Sequence, residues 1–429
     1  MEFRVKPTTA LEAASRPRPY VHFDLPFEKG DTEAIKALVA DPSAICRHSF
    51  YPFLRLDLIR NKVKKLPGGK KKFELKIREI RYASHKDSAI YAYYNFLISE
   101  KYENRVSELG IQNEVIAFRS LGKSNIDFAA EAFDWIQSNT PCVALGFDVR
   151  DFFGSLNHAL LKKQWAAVLG ETSLPDDHYS VFRSITKHAS VDLIEARKML
   201  GISRSRLEKS KRFCDAKEFR RVIHDGQLIS VNKNDCGIPQ GSPISALLSN
   251  IYLLPFDEKI KIYTMARNGY YRRYCDDILI VVPVAHKEEA CAKVKELIQE
   301  LKLDIQESKT LVCTFSPTAD RPLQYLGFLF DGINIYLRSG GIARFFKKMR
   351  AGIRLHTKAR KKDGKTALHI QRRKKLLNAY TEHAPEKARS YMNYVKRAAK
   401  TAKSDSPISQ LKAHKKKFKK LIEEPLSPK

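Results

Sequence analysis

Asp276 and Asp277 stand side by side in YRRYCDDILIVV, residues 271–282, between two apolar, β-branched runs. Adjacent carboxylates repel, and without partners each raises the other's pKa. A third acid, Asp148, closes the apolar run of CVALGFDV, residues 142–149. Divalent cations remove the conflict. Three Asp side chains with the backbone carbonyl of Val149 can hold two Mg²⁺ ions roughly 3.5–4 Å apart. Mg²⁺ takes hard oxygen ligands and is commonly held by a few carboxylates plus substrate phosphates. The plainer reading is that Asp favours turns and a DD pair at a hairpin tip is merely solvated. The two readings part on whether Asp148 meets the pair.

The elements that must bring them together are legible as periodicities. CVALGFDV reads as a buried strand and residues 271–282 as strand, turn, strand. Residues 288–303 form an amphipathic helix with Ala290, Val294, Leu297, Ile298 and Leu301 on one face. TLVCTF, 310–315, is a strand, and 323–337 a hairpin. GIPQGSPISALLSNIYLLPFDEKI, 237–260, is a turn and then a helix, with Ser242 as N-cap and Pro243 as first helical residue. Residues 159–236 form a long polar, helical stretch with a basic middle. From 142 to 315 the order is therefore that of the split β-α-β-β-α-β sheet, ferredoxin-like, in which the first strand lies beside the central hairpin. Upstream, 1–45 is mixed and mostly helical or irregular; 46–70 is an apolar patch and then a basic loop with a Pro-Gly-Gly turn. FELKIREI, 73–80, is a strand, and 87–102 and 126–137 are helices.

A chain of 429 residues implies two or three subdomains, and 43% hydrophobic with 10% aromatic residues is enough for a sizeable core. No run of 18 apolar residues suggests a membrane span, and MEFRVKPTTALEAASRPRPY lacks a secretory pattern. The seven cysteines form no C-x-x-C, which disfavours a zinc site or disulfide framework and fits a reducing, cytoplasmic setting. Net charge is +30 and uneven. Residues 338–429 hold 28 Lys and Arg against 6 Asp and Glu, so +22 lies in the last 92 residues. Such a field attracts a polyanion by counterion release, and nucleic acid is the expected partner rather than a membrane.

In this setting the chain resembles a reverse transcriptase. Tyr274-Cys275-Asp276-Asp277 matches the Y-x-D-D box; FDVRDFFGSLNH (147–158) resembles motif A and GIPQGSPISALLSN (237–250) motif B. QESKT (306–310) resembles motif D, YLGF (325–328) the primer grip, and IREIRYASHKDSAIYAYY with VIAFRSLGKSN the fingers motifs of bacterial enzymes. The likeness runs in order from about 70 to 335. It implies an α+β right-hand polymerase. An N-terminal segment (1–69) and fingers (70–141) precede a ferredoxin-like palm (142–337, helical insert 159–236), and a basic helical thumb or RNA-binding region (338–429) follows.

The resemblance also assigns roles. Asp148, Asp276, Asp277 and the Val149 carbonyl are the ligands of two Mg²⁺, with Mn²⁺ as the alternative. Lys309 is a general acid for pyrophosphate, or else a solvated turn lysine. Arg78 grips the triphosphate, or is a strand-edge charge. Gln240 contacts the incoming nucleotide beside Gly241, where the backbone can be approached closely. Tyr274 and Cys275 lie at the primer terminus and nascent pair, and Arg119 and Lys123 on the template backbone. Phe153, five residues after Asp148, lies under the ribose, where a flat ring rejects a 2′-hydroxyl and favours dNTPs; otherwise it is a core phenylalanine.

Among reverse transcriptases, no protease, RNase H-like acidic cluster, zinc nuclease signature or V-T-G tripeptide is apparent. The chain is thus most similar to the stand-alone, defence-associated "unknown group" class of bacteria. That class implies cDNA synthesis from a structured non-coding RNA in anti-phage defence, with RNA expected on 159–236 and the basic C-terminus. The alternatives are a group II intron-like or other mobile-element enzyme, a non-catalytic RNA-binding palm protein, and an RNA-copying RNA polymerase, which Phe153 disfavours.

Overall fold

The structure, a computed structural model, describes residues 7–65, 71–203, 210–363, 367–381 and 390–411, with the isolated residues 205, 207, 385, 418, 420 and 422. Its strands, in chain order, are β1 (Phe53–Lys65), β2 (Lys71–Tyr82), β3 (Cys142–Asp148), β4 (Ala189–Asp192), β5 (Ser230–Val231), β6 (Tyr270–Tyr274), β7 (Asp277–Pro283), β8 (Leu311–Phe315), β9 (Leu323–Tyr325), β10 (Phe328–Phe330) and β11 (Ile335–Leu337).

The central sheet has the order β6-β7-β3-β8, antiparallel throughout. Its four strands, ranked by position in the chain, lie 2-3-1-4, so the first strand sits between the hairpin and the last, as the split β-α-β-β-α-β reading requires. Strand alternation divides its side chains between two cores. Val143, Leu145 and Phe147 of β3 and Ile278, Ile280 and Val282 of β7 face one, with the helices His85–Glu108, Ser245–Tyr252, Leu254–Met265 and Lys287–Glu300. Cys142 and Ala144, with Leu279 and Val281, face the other, with the helix Asn125–Ser138, the sheet β11-β10-β9 and the helix Tyr391–Thr401. Both faces being covered explains why these strands read as continuous apolar runs.

The helix His85–Glu108 begins firmly for a local reason. The Ser84 hydroxyl accepts the Asp87 amide at 3.2 Å, and Asp24 accepts the amides of His85 and Lys86 at 3.0 Å each. Ile90, Tyr94, Ile98, Tyr102 and Val106, four residues apart, are buried on one side.

Four expectations need correction. First, residues 53–65 are not a patch and loop but strand β1, paired with β2 in unbroken register from Leu54↔Tyr82 to Lys65↔Lys71. The hairpin thus begins well before residue 70. The Pro-Gly-Gly turn lies outside the described residues. Second, the stretch 159–236 is not purely helical. It supplies β4, parallel to β1, and β5, giving the sheet β2-β1-β4-β5. Third, the motif-B helix starts at Ser245, not Pro243, and a second helix takes over at Leu254. The Ser245 hydroxyl donates to the Pro239 carbonyl at 2.7 Å, holding 239–244 as a loop. Fourth, 323–337 carries three short strands rather than one hairpin.

After Arg338 the described chain is helical: Ser339–Asp363, Ala367–Tyr380 and Tyr391–Thr401. Met349 and Ile353 form a small core with Phe418 and Ile422. QLKAHKKKFKKLI, 410–422, reads as a further helix from its sequence, and most of it lies outside the described residues. No described helix is long and apolar enough to cross a membrane.

Candidate active site

Asp148 is the last residue of β3 and Asp277 the first of β7, and the ladder pairs them directly. Directly opposed residues share a face, with Cβ atoms roughly 4.5–5.5 Å apart. That face is the one carrying Ala144, Leu279 and Val281 deeper in the sheet, so both acids emerge where an apolar surface ends. Asp276 follows Cys275 in the two-residue turn that joins β6 to β7. Cys275 has φ +61° and Asp276 a negative φ, the φ signs of a type II′ turn, whose first central position normally takes glycine. Asp277 feels the other two acids. Asp277 reaches solvent, yet its carboxyl is pushed up to about 6 by local desolvation, then by Asp276 and Asp148, with Lys309 and Arg338 opposing.

The strand that positions Asp148 is continued by a pinned loop. The Arg150 amide donates to the Asp304 carbonyl at 2.8 Å and the Gln306 amide to the Asp148 carbonyl at 2.7 Å, around a bridge between Val149 and Ile305. These bonds carry the short turn Glu307–Lys309 back over the site, where the Lys309 ammonium meets the Asp148 carboxylate in a salt bridge. Among the described residues no three Asp, Glu, His or Cys side chains are arranged to hold a metal ion. The expected cage is not closed, and Asp148 is paired with Lys309. The donor set nonetheless suits a divalent cation. The oxygens are hard, desolvation and then the neighbouring carboxylates raise the pKa of Asp277, and a cationic group already rests on Asp148.

Motifs A and B are laced together beside this cluster. The Ile238 amide donates to the Phe153 carbonyl and the Gly237 amide to the Leu156 carbonyl, both at 2.9 Å, and His158 Nε2 lies 2.9 Å from the Gly237 carbonyl. Of the two adjacent phenylalanines, Phe152 is buried in the core and Phe153 only half-buried against it, their rings 5.5 Å apart. Next along, the Gln240 carbonyl accepts the Arg81 amide of β2 at 2.8 Å. Gly241 has φ +121°, and a Cβ there would sit 2.7 Å from the Arg81 carbonyl. The close approach that requires glycine here is therefore made by the protein's own β2.

The basic residues divide. Arg78 is exposed on β2, three residues before Arg81, opposite Leu58. Lys123 pairs with Glu131 at 2.5 Å and lies over the Phe128 ring. Arg119, expected on a template backbone, is a correction. Its side chain is 4% exposed, forked onto Glu103 at 2.9 and 2.6 Å, and donates to the carbonyls of Gln112 and Val115 at 2.6 and 2.7 Å. It braces its own loop. Tyr274 is half-buried, and Cys275 is buried with its thiol pushed upward by that burial.

Sequence reasoning passed over two features. Asp151 has φ +39°, and burial followed by Glu79 raises its carboxyl while Arg81 opposes, which brings a fourth acid against β2. Arg273, immediately before the Y-x-D-D box, is fully buried and joined to Asp257, Asn250 and the turn itself. A charged residue at an inward strand position, two before a buried Cys, was the available signal.

Residues 98–330 match the family described as reverse transcriptase (RNA-dependent DNA polymerase). No curated protein sequence matches the chain. Among solved structures, telomerase from Candida tropicalis truncated from its C-terminal domain is 12% identical over 66% of this chain and 57% of its own, with a TM-score of 0.39. Telomerase from Candida albicans, in complex with the TWJ fragment of telomeric RNA, is 12% identical over 92% of this chain and 68% of its own, with a TM-score of 0.40. The chain thus spans little more than half of the first of these.

Proposed function

Since the chain belongs to the reverse transcriptase family, we propose that it is an RNA-directed DNA polymerase, a nucleotidyltransferase that adds deoxynucleotides to a primer on an RNA template. The observation that carries this reading is the register pairing Asp148 with Asp277, one residue from Asp276. In this reading the sheet β2-β1-β4-β5 belongs to the fingers, the central sheet is the palm, and the basic helices after Arg338 form the thumb.

Asp148, Asp276, Asp277 and the Val149 carbonyl would hold two Mg²⁺, or Mn²⁺, which when bound activate the primer 3′-hydroxyl and neutralise the triphosphate. Lys309 leaves Asp148 as the site fills and is then free to donate a proton to the departing pyrophosphate. Arg78 holds triphosphate oxygens from β2. Gln240, tied through its backbone to Arg81, presents its side chain to the incoming nucleotide. The half-buried Phe153 ring closes the space of a 2′-hydroxyl and offers it no hydrogen bond. Tyr274 and Cys275 carry the primer end, and Lys123 lies along the template.

The wider role extends this reading: a bacterial, cytoplasmic enzyme making cDNA from a structured non-coding RNA in anti-phage defence. It is supported by the motif resemblance and by the +22 charge after residue 337, which suits a folded polyanion. Purified protein is to be tested for primer extension on RNA with deoxynucleotides and with ribonucleotides. Asp276→Ala/Asp277→Ala should abolish extension and leave RNA binding within about twofold. DNA synthesis surviving that change ends the assignment. Sequencing the nucleic acid that co-purifies identifies the template and tests the defence reading.

A further inference from the structure

Cys275 holds a backbone conformation that L-residues adopt at a cost, and the catalytic reading of Asp276 and Asp277 depends on that turn. Something must over-determine it. The Cys275 carbonyl accepts a hydrogen bond from Arg273 Nη1 at 3.1 Å. Arg273 is itself immobilised. Its Nε and Nη2 fork onto Asp257 at 2.7 and 2.6 Å, and Nη1 also reaches Asn250 Oδ1 at 3.1 Å. Tyr271 donates its hydroxyl to the same Asp257 at 2.5 Å, and Asn250 Nδ2 donates to the Ala117 carbonyl at 3.0 Å. The backbone is tied too. The Arg273 amide donates to Glu114, and its carbonyl accepts from Ile116.

Arg273 and Asp257 are both fully buried. A buried ion pair of this kind is weak evidence for stability, since well-packed apolar side chains often serve as well or better. What an apolar pair cannot do is donate to the carbonyl of a strained turn. We propose that Arg273, oriented by Asp257, is a positioning residue that locks the Cys275–Asp276 turn and thereby aims the paired carboxylates at Asp148. The network links three distant segments: the loop 114–117, the motif-B helix and the helix after it, and the catalytic hairpin. A disturbance in any of them is transmitted to the acids through one guanidinium.

The inference rests on the polymerase reading, so its test has an arm that does not. In the full-length chain, Arg273→Met/Asp257→Leu/Tyr271→Phe removes the network without leaving an orphan charge or hydroxyl. Hydrogen–deuterium exchange of peptides spanning 270–283 should show the turn amides exchanging at least tenfold faster, with unchanged circular dichroism and RNA affinity. In primer extension kcat should fall on the order of a hundredfold with KM for dNTP within about threefold, as expected of misplaced rather than missing groups. Glycine adopts φ above zero without strain. In a Cys275→Gly background the loss on removing the network should therefore shrink at least fivefold. Should the triple variant not fold, Arg273→Lys serves. One ammonium cannot satisfy Asp257 and the turn together, and the same exchange and kcat changes are expected. Wild-type protein without DNA synthesis would sink the polymerase reading alone. Unchanged turn exchange in a folded variant, or equal losses in both backgrounds at position 275, overturns the inference.

Discussion

Gly241→Ala is the sharpest test of how β2 and motif B are joined. The substitution puts a methyl group 2.7 Å from the Arg81 carbonyl and 3.0 Å from Ile80 Cγ2, at a φ of +121°. Neither backbone can yield alone, because the Arg81 amide is bonded to the Gln240 carbonyl at 2.8 Å. The conformational penalty is about 1–3 kcal/mol, and the lost hydrogen bond adds about 1 kcal/mol. A total of about 2–4 kcal/mol lowers the population of the joined state roughly 30- to 1000-fold, at about 1.4 kcal/mol per factor of ten. Gly122→Ala is the control. Gly122 also has positive φ, +70°, but a Cβ there meets nothing within 4 Å, leaving strain of about 1–2 kcal/mol and no clash. Exchange of the Arg81 amide should accelerate in Gly241→Ala and not in Gly122→Ala. kcat/KM for dNTP should fall at least tenfold in the first and under threefold in the second. If both variants behave alike, the close approach of β2 to this loop does not govern nucleotide binding.

Phe153→Val should narrow the preference for dNTP over rNTP by roughly 10- to 100-fold, read from primer extension with each substrate; an unchanged ratio makes Phe153 a core residue only. Burial, with Arg81 adding, lowers His188 from 6.5 to about 4. It is held neutral in the fold and binds a proton on unfolding, so stability is complete above pH 6.5 and drains as pH falls toward 4. The loss is about 3 kcal/mol at most; His188→Gln should flatten this limb of a pH-dependent urea titration by about one proton. Arg119→Ala should destabilise by about 2–3 kcal/mol through the abandoned Glu103 and carbonyls, while the slope of log RNA affinity against log salt stays the same. A slope reduced by about one would return Arg119 to the template.

The candidate site residues were legible because the resemblance is carried by residue types within short windows. A Y-x-D-D box between apolar runs, an acid ending a buried strand and a P-Q-G turn before a helix all announce themselves in short windows. The order of the central sheet was legible too, since two-sided burial writes continuous apolar runs for β3 and β7. Elements held by distant partners were not. Strand β4, four residues long, exists because β1, more than a hundred residues away, offers it an edge, and the two-residue β5 pairs in turn with β4. The start of the motif-B helix is decided by bonds from Ser245 to Pro239 and from Arg81 to Gln240, not by the capping preference of Ser242. Arg119 carries the same charge whether it faces a phosphate or Glu103, and only packing distinguishes the two. The sequence by itself determined which groups can do chemistry, because side-chain identity sets acidity, hardness and size. Tertiary structure decided which of them face one another, because register, burial and the partners of each charge depend on contacts far apart along the chain.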